Sequence, residues 1–525
     1  MAYSRGRIGG ALMAAATLLG AAEAKAETLA EAISLAYDTN PTLQAARAQL
    51  RALDESYVQA RSGLGLQAQL GFTGEYDKTQ QTFQGGFQQE SETNSGQFSV
   101  TITQPITTGG RVTAQSKAAM KGIESGRQQL RAVEASVMFD VVQSYLDVLR
   151  DQQALEIRRK TLDTFTRQLT ETLAREKAGE VSRTDVAQAQ AQLQGERALL
   201  SQAQTQLQIS RAAYTAAVGR NPGSLEPPPA LPGLPASVED AFTLAGNANP
   251  QLLRAVYAEQ QSQAQIAAAR ARYRPNVSVS ASYGYTGSVD PFISHNYDRG
   301  IVGRVTVTQP LYTSGLTASL IRQSLEQNTS DRIGIETTRR QVVQTVSNAW
   351  NQMLTARDNV AIYQAQVEAA STAFTGMQIE YRAGLRSTYE VLNAEETLRD
   401  AELSLANAQH DDYVTRSALL NVTGRLEAGQ LLQNQPLYDP KRNLERRGWK
   451  AGLPTAPLIG LVDGFLKPGA GQRPIAQPSA PANPPALAPA TADLPADAQR
   501  STGLPTDPIP GTTSDGVSRA RPATH

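Results

Sequence analysis

Gln97-Phe98-Ser99-Val100-Thr101-Ile102-Thr103-Gln104-Pro105-Ile106-Thr107-Thr108-Gly109-Gly110-Arg111 reads as a strand that runs into a helix. Phe98, Val100 and Ile102 fall on one side of the first seven residues. Gln97, Ser99, Thr101 and Thr103 fall on the other, the period-two pattern of a half-buried strand. After Gln104-Pro105 and the Gly109-Gly110 turn, no proline occurs until Pro222. Residues 111–178 are 68 positions rich in Ala, Gln, Leu, Arg and Val. As a helix they span about 100 Å at 1.5 Å per residue.

The same passage occurs twice. Gln104-Pro105 returns as Gln309-Pro310, 205 positions on. Gly110 returns as Gly315, Tyr145 as Trp350, Ala178-Gly179 as Ala383-Gly384 and Gly219-Arg220 as Gly424-Arg425, all at the same spacing. Upstream, Asn40-Pro41 matches Asn249-Pro250 at a spacing of 209, so the first copy carries about four extra residues in its strand-and-loop part. This organisation predicts a first repeat over 27–220, a Pro/Gly-rich linker over 221–236, a second repeat over 237–432 and a further segment over 433–467.

Each copy holds two alternating stretches, at 64–76 and 97–103, then at 277–286 and 301–308. Leu64, Leu66, Ala68, Leu70 and Phe72 share one face of the first, and Val277, Val279, Ala281, Tyr283 and Tyr285 one face of the third. Their lengths approach the roughly 9–11 residues that cross a bilayer when tilted. Tyr76, Tyr283 and Tyr285 stand where an interfacial aromatic girdle would lie. The polar stretches 79–95 and 288–298 read as external loops. Four strands cannot close a barrel, and an open edge in lipid leaves backbone groups unsatisfied at several kcal/mol each. A membrane reading therefore requires strands from other copies: eight from a dimer, twelve from a trimer. The residues by themselves do not choose.

The helices carry a heptad stripe. It runs Val141, Val148, Leu155, Leu162, Leu169 in the first copy and Val346, Met353, Val360, Val367, Phe374, Tyr381 in the second. The shorter helix, from Ser182 as N-cap with Asp185 three residues on, carries Val186, Leu193, Leu200, Leu207 and Tyr214. Sustained seven-residue spacing predicts helices packed as coiled coils. A further helix precedes each strand pair, from Pro41 to Arg61 and from Pro250 to Arg272, and is expected to stack end to end on the shorter one.

The two ends set the compartment. Arg5 and Arg7, an apolar stretch over 8–22 and Ala24-Lys25-Ala26 form a secretory signal, with cleavage before Glu27. Residues 468–525 contain 12 prolines in 58 positions, too little apolar mass to offset ordering entropy, and are expected to be a disordered tail. With no cysteine, disulfides, thiolate metal sites and a lipidated N-terminal cysteine are excluded. Lys+Arg and Asp+Glu both number 49, which gives no basic surface for nucleic acid. Past the signal no run of 18 apolar residues predicts a spanning helix. The three histidines, His295, His410 and His525, sit in no triad or metal-ligand spacing, so neither catalysis, a metal nor a cofactor is expected. No role is assigned to the basic run at 441–450. A soluble periplasmic coiled-coil adaptor or structural protein without a pore is the competing reading; it explains the heptads but not four amphipathic strands.

As a set, the duplicated unit, the two Gln-Pro junctions, the turn from Tyr381 through Gly384 and Arg386 to Glu390 and Asn393, and the matching turn from Lys177 to Val186 resemble the TolC-like outer-membrane efflux and type I secretion channel family. The resemblance covers roughly 27–432. It implies an α+β membrane protein. Its homotrimer pools four strands per chain into a twelve-stranded β-barrel continuous with a long periplasmic α-helical coiled-coil barrel. It also implies a Gram-negative outer membrane and a passive exit duct, with an inner-membrane transporter (ABC or proton-driven) and a periplasmic adaptor (membrane fusion protein) as partners. The passenger is a protein or a small toxic compound, and opening untwists the inner helices. By the same resemblance, Tyr381 and Arg386 latch the closed tip to Asp185. Glu390 supplies one acidic ring at the constriction, while Asn393 stands where a second acid is expected, so strong cation selectivity is not implied. Gln104, Pro105, Gln309 and Pro310 mark the strand-to-helix junctions. The missing lipidated cysteine leans away from the lipoprotein efflux branch.

Overall fold

The computed structural model describes residues 27–288, 297–432 and 436–448, with the single positions Thr455, Ile459, Leu461 and Asp463. The signal, His295, His525, Trp449, Lys450 and the proline-rich tail lie outside the described residues.

In chain order the elements are α1 (Leu29–Thr39), α2 (Pro41–Ser62), β1 (Gln67–Thr82), β2 (Gln88–Thr107), α3 (Arg111–Ala178) and α4 (Arg183–Val218). Then come α5 (Val238–Ala248), α6 (Pro250–Arg270), β3 (Asn276–Ser288), β4 (Tyr297–Thr308), α7 (Leu316–Arg382) and α8 (Thr388–Val422), followed by the short α9 (Ala428–Leu431) and α10 (Arg442–Gly448). The order helix, helix, strand, strand, long helix, shorter helix thus occurs twice. Residues 221–236 between α4 and α5 contain no helix. No helix among the described residues is long and apolar enough to cross a membrane.

The strands form one antiparallel sheet in the order β1-β2-β3-β4, with β1 and β4 as unpaired edges. Its register sorts most side chains by polarity, with Val302 on the polar face and Arg299 in the row of Phe72, Phe98 and Tyr285 among the exceptions. Leu70, Val100, Tyr283 and Ile301 form one cross-strand row, and Ala68, Ile102, Ala281 and Gly303 the next on the same face. Gln69, Thr101, Ser282 and Val302 lie on the opposite face, beside Gly71, Ser99, Gly284 and Gly300. On the apolar face Leu70, Phe72 and Ile301 are 69, 73 and 80 % exposed in the single chain, which a water-facing sheet would not tolerate as a contiguous patch.

The hairpin differs from expectation in two ways. Leu64 is not a lipid-facing strand residue: it is buried with Val112 and Ile459 beneath the start of α3. Most of 79–95 is not loop either, because the β1–β2 ladder continues to Thr82 opposite Gln88 and only 83–87 turn. A hairpin wet on both faces needs no hydrophobic alternation, and here Lys78 forms cross-strand ion pairs with Glu90 and, at 2.8 Å, Glu92.

The Gln-Pro junctions do the same job in both copies. Gln104 Nε2 donates to the Leu64 carbonyl at 3.0 Å, and Gln309 Nε2 to the Tyr273 carbonyl at 2.6 Å, tying the incoming chain to the outgoing one. Pro310 follows the end of β4, where a residue without an N–H ends a ladder cheaply. Pro105 instead lies within β2 and faces Ser278, and the register against β3 shifts between Pro105 and Thr107.

One asparagine joins each pair of stacked helices. Asn40 Oδ1 accepts from Thr42 and Leu43 N–H to cap α2, while its Nδ2 donates to the Ala217 carbonyl near the end of α4 at 3.1 Å. Asn249 repeats this at α6, with Nδ2 2.8 Å from the Val422 carbonyl of α8. The short helices therefore meet the ends of α4 and α8, as the end-to-end reading expects. The stripe residues Val141, Val148 and Leu155 are buried in one apolar cluster with the fully buried Tyr145 and Met138, and Val346 and Met353 in a second. Helices α1 and α5 were not expected; Ala32, Ile33, Ala36 and Tyr37 of α1 belong to the first cluster.

Two polar anchors hold the ends. The Glu27 carboxylate accepts from the Tyr214 hydroxyl at 2.5 Å and Arg220 Nη2 at 2.6 Å, and its N–H donates to the Ser224 carbonyl at 2.7 Å. Asp463 is buried over the first junction. It accepts from the N–H groups of Thr108 (2.7 Å) and Gly110 (3.0 Å) and from the hydroxyls of Thr107 and Thr113. Burial pushes its pKa up, but those four donors outweigh burial and leave the carboxyl below its ordinary value.

Candidate functional site at the helix-hairpin tips

Two turns of equal construction close the hairpins α3–α4 and α7–α8. Gly179 and Gly384 take the left-handed φ values 77° and 76° that L side chains resist. The Glu180 and Leu385 N–H groups then reach back to the carbonyls of Arg175 and Glu380, each at 2.9 Å. Three residues past each glycine, Ser182 and Ser387 form capping boxes with Asp185 and Glu390, as the sequence indicated for the first. These bonds satisfy part of each helix end and fix the direction of both bends.

Within one chain the tip residues do not form the expected latch: Asp185 bonds to Ser182, Arg386 to Glu380 and Glu390, and Tyr381 to Thr388. Asp185 accepts from the Ser182 N–H at 2.9 Å and the Ser182 hydroxyl at 2.8 Å. Arg386 lies between Glu380 (2.7 Å) and Glu390 (2.9 Å), which raise its pKa. Glu390 is held down at about 2, first by the Ser387 N–H, then by Arg386 and the Ser387 hydroxyl, so its charge persists but is compensated. Tyr381 is 3 % exposed, far drier than its turn position suggests. The Arg175 guanidinium of α3 covers its ring at 4.3 Å, and the Thr388 hydroxyl donates to its oxygen at 3.4 Å. Sequence reasoning passes over Arg175 and Thr388, because contacts across helices leave no spacing signal.

Farther along the hairpins is a ladder of buried charge. Glu196 of α4, with a side chain 1 % exposed, pairs with Arg158 of α3 at 3.3 Å and Arg399 of α8 at 2.8 Å. Glu395, one turn from Arg399, is pushed up to about 7, chiefly by burial and then by Glu402. His410 of α8 lies 3.1 Å from Asp147, an ion-pair contact outside hydrogen-bond angles, and 2.9 Å from Asp411. Burial draws its pKa down, but the two carboxylates more than restore it.

A sheet with one apolar face, two open edges and two helices of 68 and 67 residues running from it is the geometry of a membrane duct protomer. A family model described as outer membrane efflux protein matches residues 32–220 and, separately, 243–425. The chain belongs to that family. Outer membrane efflux protein BepC of Brucella suis is 31 % identical over 436 residues, covering 83 % of this chain and 94 % of BepC. Outer membrane protein TolC of Escherichia coli is 27 % identical over 439 residues, covering 79 % and 86 %. The Campylobacter jejuni CmeC outer membrane channel has the same fold, with a TM-score of 0.69 at 15 % identity over 80 % of this chain and 89 % of that one. As an efflux-family member this is an outer-membrane channel protein and not an enzyme. The family's lipid-facing part is here the apolar face of β1–β4, and the buried charge ladder lies in its helical part.

Proposed function

We propose that three copies of this chain assemble into the passive exit duct of a tripartite export system. The observation that carries this is the four-stranded sheet, apolar on one face and unpaired at β1 and β4. Joining β4 of one copy to β1 of the next satisfies both edges, and three copies give twelve strands. The 68-residue α3 and 67-residue α7 then reach about 100 Å into the periplasm. At that distance an inner-membrane transporter and a periplasmic adaptor would dock. The similarity to an efflux protein over 94 % of its length favours small toxic compounds as passengers, with secreted proteins as the second class. Deleting the protein tests this. Increased sensitivity to dyes and detergents with an unchanged secretome supports efflux; loss of a secreted protein alone supports type I secretion.

The hairpin tips form the gate. In the closed trimer Asp185, Tyr381 and Arg386 form the latch, while Glu390 lines the constriction. Each link is exposed to water and therefore weak, as suits a gate that partners must open. Arg386→Ala is expected to raise the resting conductance of the purified channel in planar bilayers. A resting conductance equal to that of the parent would remove Arg386 from the gate.

A further inference from the structure

Tyr381 is gripped by a set of residues that has no counterpart in the other half of the chain. On α3, Thr172 is fully buried and Arg175 stands three residues farther along the same face. Arg175 covers the Tyr381 ring at 4.3 Å. The Thr172 hydroxyl lies 3.5 Å from that of Thr388, which in turn donates to the Tyr381 oxygen. One face of the last turns of α3 is thus joined to the end of α7 and the start of α8. Glu171, four residues before Arg175, steadies the guanidinium at 3.4 Å.

The repeat offers an internal control. Displaced by 205 positions, Tyr381 and Thr388 become Glu176 and Arg183, which face each other at 3.8 Å with Arg183 nearly all in water. Both turns have the same glycine, back-bond and capping box. The bend is therefore built without a buried aromatic, and the Arg175–Tyr381 contact adds something the fold does not require.

We propose that Arg175 is a positioning residue of the gate: its guanidinium, stacked on Tyr381, pins the α7–α8 hairpin against α3 in the closed channel. This rests on the gate reading above. A cation over an aromatic face is strongest where water is thin, and the ring here is almost completely covered. The contact costs little to break, shifting the closed-to-open ratio by about 2- to 5-fold per copy. Three copies acting together multiply that effect.

The test is resting conductance in planar bilayers, read on the purified full-length trimer. Arg175→Gln is expected to raise it, Arg175→Lys to stay near the parent, and Tyr381→Leu to add nothing to Arg175→Gln. Tyr381→Phe keeps the stacked ring and is expected to stay closer to the parent than Tyr381→Leu. If Arg386→Ala opens the channel and Arg175→Gln does not, Arg175 is not a pin and the gate reading stands. If neither opens it, the gate reading itself falls. A second measurement avoids variants that misassemble. The chain has no cysteine, so Thr172→Cys with Thr388→Cys makes a single lock in each copy. Oxidised, the lock holds the hairpin whether residue 175 is Arg or Gln. On reduction, conductance is expected to rise only in the Gln background; equal conductance in both backgrounds overturns the proposal.

Discussion

Glu196 is the most instructive residue. Its carboxylate neutralises Arg158 of its own hairpin and Arg399 of the other, at a depth where an unpaired charge is very costly. Glu196→Gln should therefore destabilise the folded chain by about 3–5 kcal/mol. Replacing Arg158, Glu196 and Arg399 together by Met should cost much less. Urea midpoints of the detergent-solubilised protein check both, and equal losses would mean the ladder carries no special weight. Glu395 adds a pH dependence. Its pKa rises from 4.5 in the free chain to about 7 in the fold, so its contribution is present below 4.5 and is lost as pH rises through 7. The groups facing it are Thr161 and Arg167 from α3 and Arg399 and Glu402 from α8. The loss is on the order of 3 kcal/mol per chain at most. Thermal melting at pH 5 and pH 8 should show a fall in the parent and a flatter profile in Glu395→Gln. An unchanged slope in the variant would assign the dependence elsewhere.

Among the elements, the ones most legible in sequence are those with an uninterrupted period. The 68-residue span expected for α3 matches Arg111–Ala178, and Ser182 with Asp185 marks the start of α4, because heptads and caps are local signals. Helices α1 and α5, at 11 residues each, are too short for a periodic stripe to stand out. The outer half of the β1–β2 hairpin is wet on both faces, so no alternation announces it. The segment around Asp463 is invisible for another reason: its meaning lies in donors 350 or more positions away. Asp463→Ala leaves the buried Thr108 and Gly110 N–H groups without partners, a penalty of about 1–3 kcal/mol. Faster amide exchange across residues 107–113, with the hairpin tips unaffected, is the expected signature. Uniform protection would mean the segment anchors nothing.

For the whole molecule, the two open edges make the decisive prediction. β1 and β4 are separated by two intervening strands, about 14 Å in the hydrogen-bonding direction, which no disulfide can bridge. Cysteines placed in register on β1 and β4, for example in a scan around Gln69 and Val302, should cross-link only between copies, and a fully oxidised sample should migrate as a covalent trimer. Dimers as the limiting product would change the strand count of the barrel. The tip chemistry was less legible than the architecture. Tyr381, Arg386 and Glu390 are located by the turn they share, but the partner of each is set by how two hairpins lean together, which no spacing in the chain encodes.

The anchoring of Glu27 has a practical corollary. Its side chain is clasped by Tyr214 and Arg220, and the Tyr145 hydroxyl lies within 2.8 Å of its carbonyl. An affinity handle or fluorescent reporter spliced immediately ahead of Glu27 would adjoin these contacts, and should lower the yield of assembled protein. A graft at the solvent-exposed Gly85-Gly86 bend disturbs none of these bonds and is the better place for a label.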